Sequence, residues 1–406
     1  MMYLFSKGGD IQLITSRKIR IYPDDNQLRV INNTFDVCRF IWNQSLELSI
    51  KSYDNGELII PNYGDIVLQN SWLSKDNKEY KFDRHAAANT KQFLHSAFSR
   101  YFDNTKKGNI RKRKDGKQKG FPRFKSKKYC KNSYTNYHGE HIHIDFDNHQ
   151  IKIPCLGWVK YNPREKKING DWKIKHITIS KSNIGKYYCS ICFQYSIDVK
   201  NIQKNDNTLN ILGIDYSSAS LYVDSEGNKA SYPKYYRSNL NRLRILQQKC
   251  SRQQKGGKNR EKTLNKIRIL HEKISSQRKD FLHKLSTSIT KKFDVICVED
   301  IDMQNMSQCL HLGKSTMDNG FGMFREMLSY KQERIPYHKL ILANKWFPSS
   351  KRCSKCGHIK SDLKLKDRIY KCNECGLTID RDLNAAINLK QYAFDYINGL
   401  NILCQK

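Results

Sequence analysis

Four cysteines constrain this chain more than anything else in it. Cys353, Cys356, Cys372 and Cys375 read C-x2-C, fifteen intervening residues, C-x2-C. That is the spacing of a four-thiolate zinc ribbon, a segment that folds by closing four sulfurs around one ion. Four protein ligands leave no open position, so zinc held there is structural. Directly behind the last cysteine comes Asp380-Arg381-Asp382-Leu383-Asn384-Ala385-Ala386-Ile387-Asn388, an acidic helix start set against the metal knuckle. Far upstream, Asp215 and Glu299 each end an apolar strand-like run. The pattern predicts a carboxylate metal site interrupted by a zinc module.

Composition narrows the partner. The chain has 406 residues, 73 basic and 39 acidic, for a formal net charge of +34. Such an excess implies a polyanion, with phosphate backbone favoured over an anionic membrane surface because neither a long apolar run nor a lipidation motif is present. The first ten residues hold too short an apolar stretch for a signal peptide. The expected location is therefore intracellular. Thirteen cysteines then read as reduced thiols and metal ligands. Cys189 and Cys192 also make a C-x2-C pair, but in an alternating strand pattern that points them to opposite faces.

Along the chain, residues 17–22 alternate as a strand and stop at Pro23, with Asp24 as helix N-cap. Leu28, Ile31, Phe35, Cys38 and Trp42 form one helix face. A second helix is predicted from about Arg84 to Phe102, with Phe93, Leu94, Ala97, Tyr101 and Phe102 inward. Residues 106–128 carry twelve basic side chains and one acid. Within that run Arg111, Lys112, Arg113, Lys114, Phe121, Arg123, Phe124 and Lys125 are the candidate nucleic-acid contacts, cations on phosphate and rings on bases. Hairpins over 142–195 predict a small barrel or sandwich. His141 and His143 share a predicted strand face and, with no third ligand near, read as structural. Residues 200–208 read as a linker.

From Leu209 the pattern becomes a three-strand meander, then helix, strand, helix, strand, helix. Apolar stripes at Leu264, Ile267, Leu270, Ile274 and at Phe281, Leu285, Ile289 are expected on helices separated by Gly256-Gly257. This element order is that of an RNase H-like fold, in which the first and fourth strands lie side by side in parallel. Neighbouring strands are about 4.8 Å apart, so acids at their carboxyl ends share one site. Asp215 and Glu299 occupy those ends, Asp382 opens the last helix, and Ala385 and Ala386 let that helix sit close to the sheet. Three carboxylates without clustered histidine favour magnesium or manganese and phosphodiester hydrolysis. Asp380 reads as a helix cap, and Asp300 and Asp302 as flanking surface charges. The basic ribbon either touches nucleic acid or only supports the fold.

Taken together, Gly213-Ile214-Asp215, Val298-Glu299-Asp300-Ile301, Pro348-Ser349-Ser350 with the two C-x2-C pairs, and Asp380-Arg381-Asp382-Leu383-Asn384-Ala385-Ala386 resemble the TnpB family of transposon-encoded RNA-guided DNA endonucleases, relatives of type V CRISPR effectors. Tyr22-Pro23, residues 38–43, Phe121-Pro122-Arg123-Phe124-Lys125 and residues 153–157 extend the likeness over nearly the whole chain. The resemblance implies an α/β multidomain protein. A wedge β-barrel (1–24 and 115–205) is interrupted by a helical recognition domain (25–114). A RuvC-like nuclease domain follows (206–345 and 378–406), holding a zinc-ribbon insertion (346–377). It further implies a guide RNA, a double-stranded DNA target with a short adjacent motif, structural zinc, and magnesium or manganese on Asp215, Glu299 and Asp382. It does not imply a strand-transfer transposase. Where many members have a glycine-containing turn after the first acid, this chain has Tyr216-Ser217-Ser218-Ala219. Two other readings stand beside the endonuclease: a guide-RNA-bound DNA-binding regulator that does not cut, and an RNA-independent RuvC-type nuclease, against which residues 1–205 argue.

Overall fold

The structure, a computed structural model, describes residues 4–5, 11–74, 79–108, 120–128, 130–165, 167, 172–197, 209–302, 318, 320–335, 338–364 and 367–399. The chain divides into two compact units, Met2–Ile197 and Asp198–Lys406. Among the described residues no helix is long and apolar enough to cross a membrane. The predicted contacts Arg111, Lys112, Arg113 and Lys114 and the whole predicted linker 200–208 lie outside the described residues.

The first unit opens with strands β1 (Leu4–Phe5) and β2 (Ile11–Tyr22) and the 30-residue helix α1 (Asp25–Asp54). Asp24 caps α1 as expected, in a reciprocal box with Gln27. Ile31, Phe35, Cys38 and Trp42 are its buried face. Helices α2 (Tyr63–Gln69), α3 (Arg84–Ala88) and α4 (Thr90–Lys106) follow. The single helix expected from Arg84 breaks at Asn89, and its buried stripe is Leu94, Phe98 and Tyr101. Phe93, expected inward, is 37% exposed, because a four-then-three spacing from Leu94 leaves it off the stripe.

The remaining strands of this unit are β3 (Ser133–Asn136), β4 (His143–Asp145), β5 (Gln150–Ile153), β6 (Gly157–Tyr161), β7 (Trp172–Lys181) and β8 (Tyr187–Ile197). They join β2 in the order β3-β7-β8-β2-β6-β5-β4, with β1 paired to β2. Among the described residues no ladder joins β3 to β4, so hydrogen bonding leaves the sheet open where a barrel would close. Its apolar face gathers Ile19, Ile21, Ile151, Ile177, Ile179 and Ile191 against Ile31 and Phe35 of α1. Cys189 belongs to that core while Cys192, three residues on, does not.

The second unit has strands β9 (Ile211–Ser217) and β10 (Leu221–Asp224) and helices α5 (Tyr235–Ser238), α6 (Leu240–Arg252) and α7 (Lys258–Lys292). Then come β11 (Val295–Glu299), α8 (Phe321–Gln332), β12 (Lys339–Ala343), β13 (Ile369–Lys371), β14 (Thr378–Asp380) and α9 (Arg381–Ile397). The expected third meander strand is only an isolated bridge, Val223 to Lys229. Asp224 turns the chain there by accepting from the backbone N–H groups of Glu226 and Asn228. Both apolar stripes predicted on separate helices lie on α7; the Gly256-Gly257 break falls before it, between α6 and α7.

The sheet order is β10-β9-β11-β12. β9, β11 and β12 are parallel and β10 is antiparallel. Alternation assigns the two faces. Leu212, Ile214, Ile296 and Val298 pack with Leu282 and Ile289 of α7 and Phe324 and Leu328 of α8. Ile211, Val295, Cys297, Ile341 and Ala343 pack with Leu389 and Ala393 of α9. A mixed sheet clad on both faces explains why β11 is an unbroken apolar run.

Candidate active site and zinc centre

The site is built from the α9 face of this sheet. The ladder pairs Val298 with Ile214 in parallel, which sets Glu299 alongside Asp215 at the carboxyl ends of β11 and β9. Gly213 and Asp215, two residues apart, share that face. At Gly213 an added Cβ would lie 2.0 Å from the Ala386 carbonyl oxygen and 2.5 Å from the Lys390 nitrogen. Strand and helix therefore meet backbone to backbone. Ala385 and Ala386 are fully buried, as the sequence suggested, but the closest approach is made possible by the glycine.

This contact also places the third acid. Stepping two residues up β9 from Gly213 covers about 6.6 Å. Stepping four residues back along α9 from Ala386 covers about 6 Å and ends at Asp382. Asp215 and Asp382 thus reach the same level.

Their electrostatics register the meeting. Burial first, then the charges of Glu299 and Asp382, push the Asp215 carboxyl well above the ordinary carboxylate range. Burial also raises Glu299, with a hydrogen bond from Ser349 and the charge of Arg381 opposing and Asp382 adding to the rise. Mutually perturbed carboxylates in a partly enclosed site are what a divalent cation relieves.

The sequence had flagged the Pro348-Ser349-Ser350 segment only as a motif; the structure gives Ser349 a task, because its hydroxyl donates to Glu299 Oε1. Two asparagines of α9 hold that segment. Asn388 Nδ2 donates to the carbonyls of Ser349 at 2.8 Å and Arg352 at 2.7 Å, and Asn384 Nδ2 donates to Arg352 at 2.7 Å. Asn384 Oδ1 accepts from the Ser354 N–H at 3.0 Å, at the mouth of the ribbon. The helix that brings Asp382 thus also fixes the lead into the cysteines. The remaining acids take the roles expected of them. Asp380 caps α9 through the N–H groups of Asp382 and Leu383, and Asp300 pairs with Arg325 on the surface.

The four cysteine sulfurs lie within 4.8 Å of one another, with Cys353 to Cys375 and Cys356 to Cys372 each at 3.6 Å. Zinc–sulfur bonds of about 2.3 Å require tetrahedral edges of about 3.8 Å, so the set fits one zinc ion. Backbone N–H groups of Cys375 and Glu374 favour the thiolate at Cys372 and draw it down to about 6. At Cys356 the N–H of His358 acts in the same sense, but desolvation and the three neighbouring thiols prevail and carry it up to about 12. Beneath the ribbon lies the fully buried Tyr370, which donates to the Lys351 carbonyl at 3.2 Å.

The three carboxylates do not form a comparable single-ion cluster. Among the described residues, the groups whose ligand atoms all lie within 4.8 Å are the four cysteines and a set at His138, Glu140 and His141. Two divalent ions sit about 3.5–4 Å apart in two-metal sites, so ligands serving a pair spread wider than one ion's shell.

In the other unit, the candidate contacts divide. Phe121 stands edge-on to Tyr101 and Phe98, with ring centroids 5.1 and 5.7 Å away, so its ring packs into the protein. Lys125 Nζ lies 3.6 Å from the Trp42 ring centroid, and its backbone N–H donates to Asn43. Arg123 and Phe124 are exposed, Phe124 at 57%.

Three families match this chain. One described as "Probable transposase" matches residues 194–310, one described as "Cas12f1-like, TNB domain" matches 321–389, and one described as "Helix-turn-helix domain" matches 13–57. The first covers Asp215 and Glu299, and the second covers the four cysteines and Asp382. Residues 13–57 here form most of β2 and one uninterrupted helix. A protein of Streptomyces pristinaespiralis, provisionally named an RNA-guided DNA endonuclease, is 27% identical over 92% of this chain and 87% of its own length. The provisionally named RNA-guided DNA endonuclease InsQ of Escherichia coli strain K12 is 28% identical over 92% of this chain and 90% of its own. Among solved structures, Cas12f1 in complex with sgRNA and target DNA shares the fold with a TM-score of 0.54 at 15% identity, over 93% of this chain and 99% of that one.

Proposed function

Because the chain is a relative of the TnpB-like proteins, we propose that it is an RNA-guided DNA endonuclease whose cutting site is Asp215, Glu299 and Asp382. The observation that carries this reading is the convergence of three acids, from two adjacent parallel strand ends and one helix start, at a level set by the Gly213–Ala386 contact. The raised proton affinities of Asp215 and Glu299 make the site one that takes up cations. Asp215, Glu299 and Asp382 would hold magnesium or manganese, which would supply an activated water and neutralise charge on the scissile phosphate. The protein's own part is to hold the acids at a common level, to orient Glu299 through the Ser349 hydroxyl, and to moderate their repulsion with Arg381.

On this reading Asp198–Lys406 holds an RNase H-like, RuvC-type domain with the four-cysteine ribbon as its zinc-binding insertion. Met2–Ile197 supplies the wedge sheet and recognition helices. The charge of +34 provides the channel for a guide RNA paired to DNA, where base pairing selects the sequence and the protein reads a short adjacent motif. Exposed Arg123 and Phe124 remain surface contacts for that nucleic acid.

Sequencing RNA that copurifies with the full chain, followed by cleavage of a matching plasmid in magnesium, tests the reading. A discrete RNA with a constant part and a variable end, and cutting abolished by Asp215→Ala, is the expected result. Absence of a discrete RNA removes the guided reading. Cutting that survives Asp215→Ala removes the assigned site.

A further inference from the structure

We propose a second zinc site, on the sheet of the first unit, formed by His138, Glu140 and His141. The three ligand atoms lie within 4.8 Å of one another. One carboxylate oxygen, Glu140 Oε1, stands between the two imidazoles, 3.7 Å from His138 Nδ1 and 3.8 Å from His141 Nε2. Zinc–nitrogen and zinc–oxygen bonds of about 2.0–2.2 Å set neighbouring donors about 3.4 Å apart in a tetrahedron. The two edges through Glu140 are within a few tenths of an ångström of that spacing, and the third, between the imidazole donors, is no longer than 4.8 Å. Two imidazoles with one carboxylate suit zinc better than magnesium or calcium.

The sequence reading paired His141 with His143 on a predicted strand face, and so found no third ligand. In the structure Gly139–His141 is a single 3-10 turn, and β4 begins only at His143. Positions i and i+3 eclipse in such a turn. His138 and His141 accordingly lie with rings 6.2 Å apart and 23° from parallel, and Glu140 falls between them.

The turn is held in place from both sides. An added Cβ at Gly139 would lie 2.1 Å from the Ile174 carbonyl oxygen, so the turn lies flat on β7 and only glycine fits there. Fully buried Asn136 accepts from the His138 N–H at 2.9 Å and donates to buried Asp83 at 2.7 Å. Asp83 in turn caps α3 through the Ala86 N–H, and α3 carries His85. The His85 ring lies 4.0 Å from that of His138, and His85, His143 and Cys155 line the same open cleft. The donors thus stand on a scaffold of buried hydrogen bonds, with the His85 imidazole beside that of His138.

Counting zinc in the full chain distinguishes this site from a plain His–Glu ion pair. The protein is dialysed against micromolar free zinc and the bound metal is measured by elemental mass spectrometry. The expected result is two zinc ions per wild-type chain, one per His138→Ala/His141→Ala chain, and one per Cys353→Ser/Cys372→Ser chain. The two losses are additive because the sites lie in different units. Glu140→Gln, which keeps the side-chain volume, should weaken zinc binding at this site by at least about the tenfold that even indirect ligand-shell changes cost. Equal zinc in the wild type and the double-histidine variant, with Glu140→Gln unchanged, overturns the proposal. All three side chains are at least partly exposed, so the variants leave the fold intact, and matching circular dichroism spectra verify it.

Discussion

Gly213→Ala is the most informative single change, because it moves a helix without touching a carboxylate. The new methyl would stand 2.0 Å from the Ala386 carbonyl oxygen, and carbon contacts below 3.0 Å essentially do not occur, so α9 must retreat by about 1 Å. The obstacle is backbone on both sides, so no rotamer change relieves it. Overpacking of this kind costs about 1–3 kcal/mol. For a unit the size of Asp198–Lys406 each kcal/mol lowers the melting temperature by about 2–4 °C, giving an expected drop of about 2–12 °C. Asp382 travels with the helix, and a displacement of about 1 Å at a catalytic group can cost about 10²-fold in rate. Calorimetry resolves the melting of this unit, and single-turnover cleavage reads the site. Adding Ala386→Gly should rescue neither, since the clash is with a carbonyl oxygen and not with the alanine methyl. A Gly213→Ala protein that melts and cuts like the wild type would refute the backbone-contact argument, and rescue by Ala386→Gly would relocate the contact to the side chain.

Three further outcomes are expected. Asp215 binds its proton more tightly when folded than at the ordinary value of 3.8, so its ionisation costs folded stability as pH rises through the range between them. In magnesium-free buffer Asp215→Asn should therefore melt above the wild type at pH 7, and the difference should vanish below about pH 4, as read by calorimetry across pH. Asn388→Ala removes the donor to the Ser349 carbonyl, while the Arg352 carbonyl keeps Asn384, so the cost should be about that of one orphaned buried acceptor, about 1–3 kcal/mol by denaturant titration. Cys372→Ser should release the ribbon zinc and loosen Ser349 and the start of α9, seen as faster hydrogen exchange there with little change in Met2–Ile197.

Much of the chain could be read without coordinates because its signals are local. The ribbon follows from cysteine spacing, α1 from Asp24 and the stripe behind it, and the neighbouring strand ends from element order. Where periodicity alone had to decide, it slipped. The helix at Arg84 breaks at Asn89, Phe93 faces out, and two stripes assigned to separate helices share α7, since propensity and spacing do not fix where a long helix bends or ends. Phe121 looked like a stacking platform because an aromatic among lysines has no sequence mark for burial; Tyr101 and Phe98 supply it.

What the amino-acid order determined by itself was therefore the inventory: four thiols for zinc, three acids on particular element ends, and a basic excess calling for a polyanion. Which of these come within reach of one another was decided only in three dimensions. Gly213 meeting Ala386 sets the level of Asp382, Asn384 and Asn388 lash the ribbon's lead to the same helix, and a 3-10 turn gathers His138, Glu140 and His141. Each depends on how closely two backbones approach or how tightly one turns. That distance belongs to the packed chain, and neither residue type nor spacing encodes it.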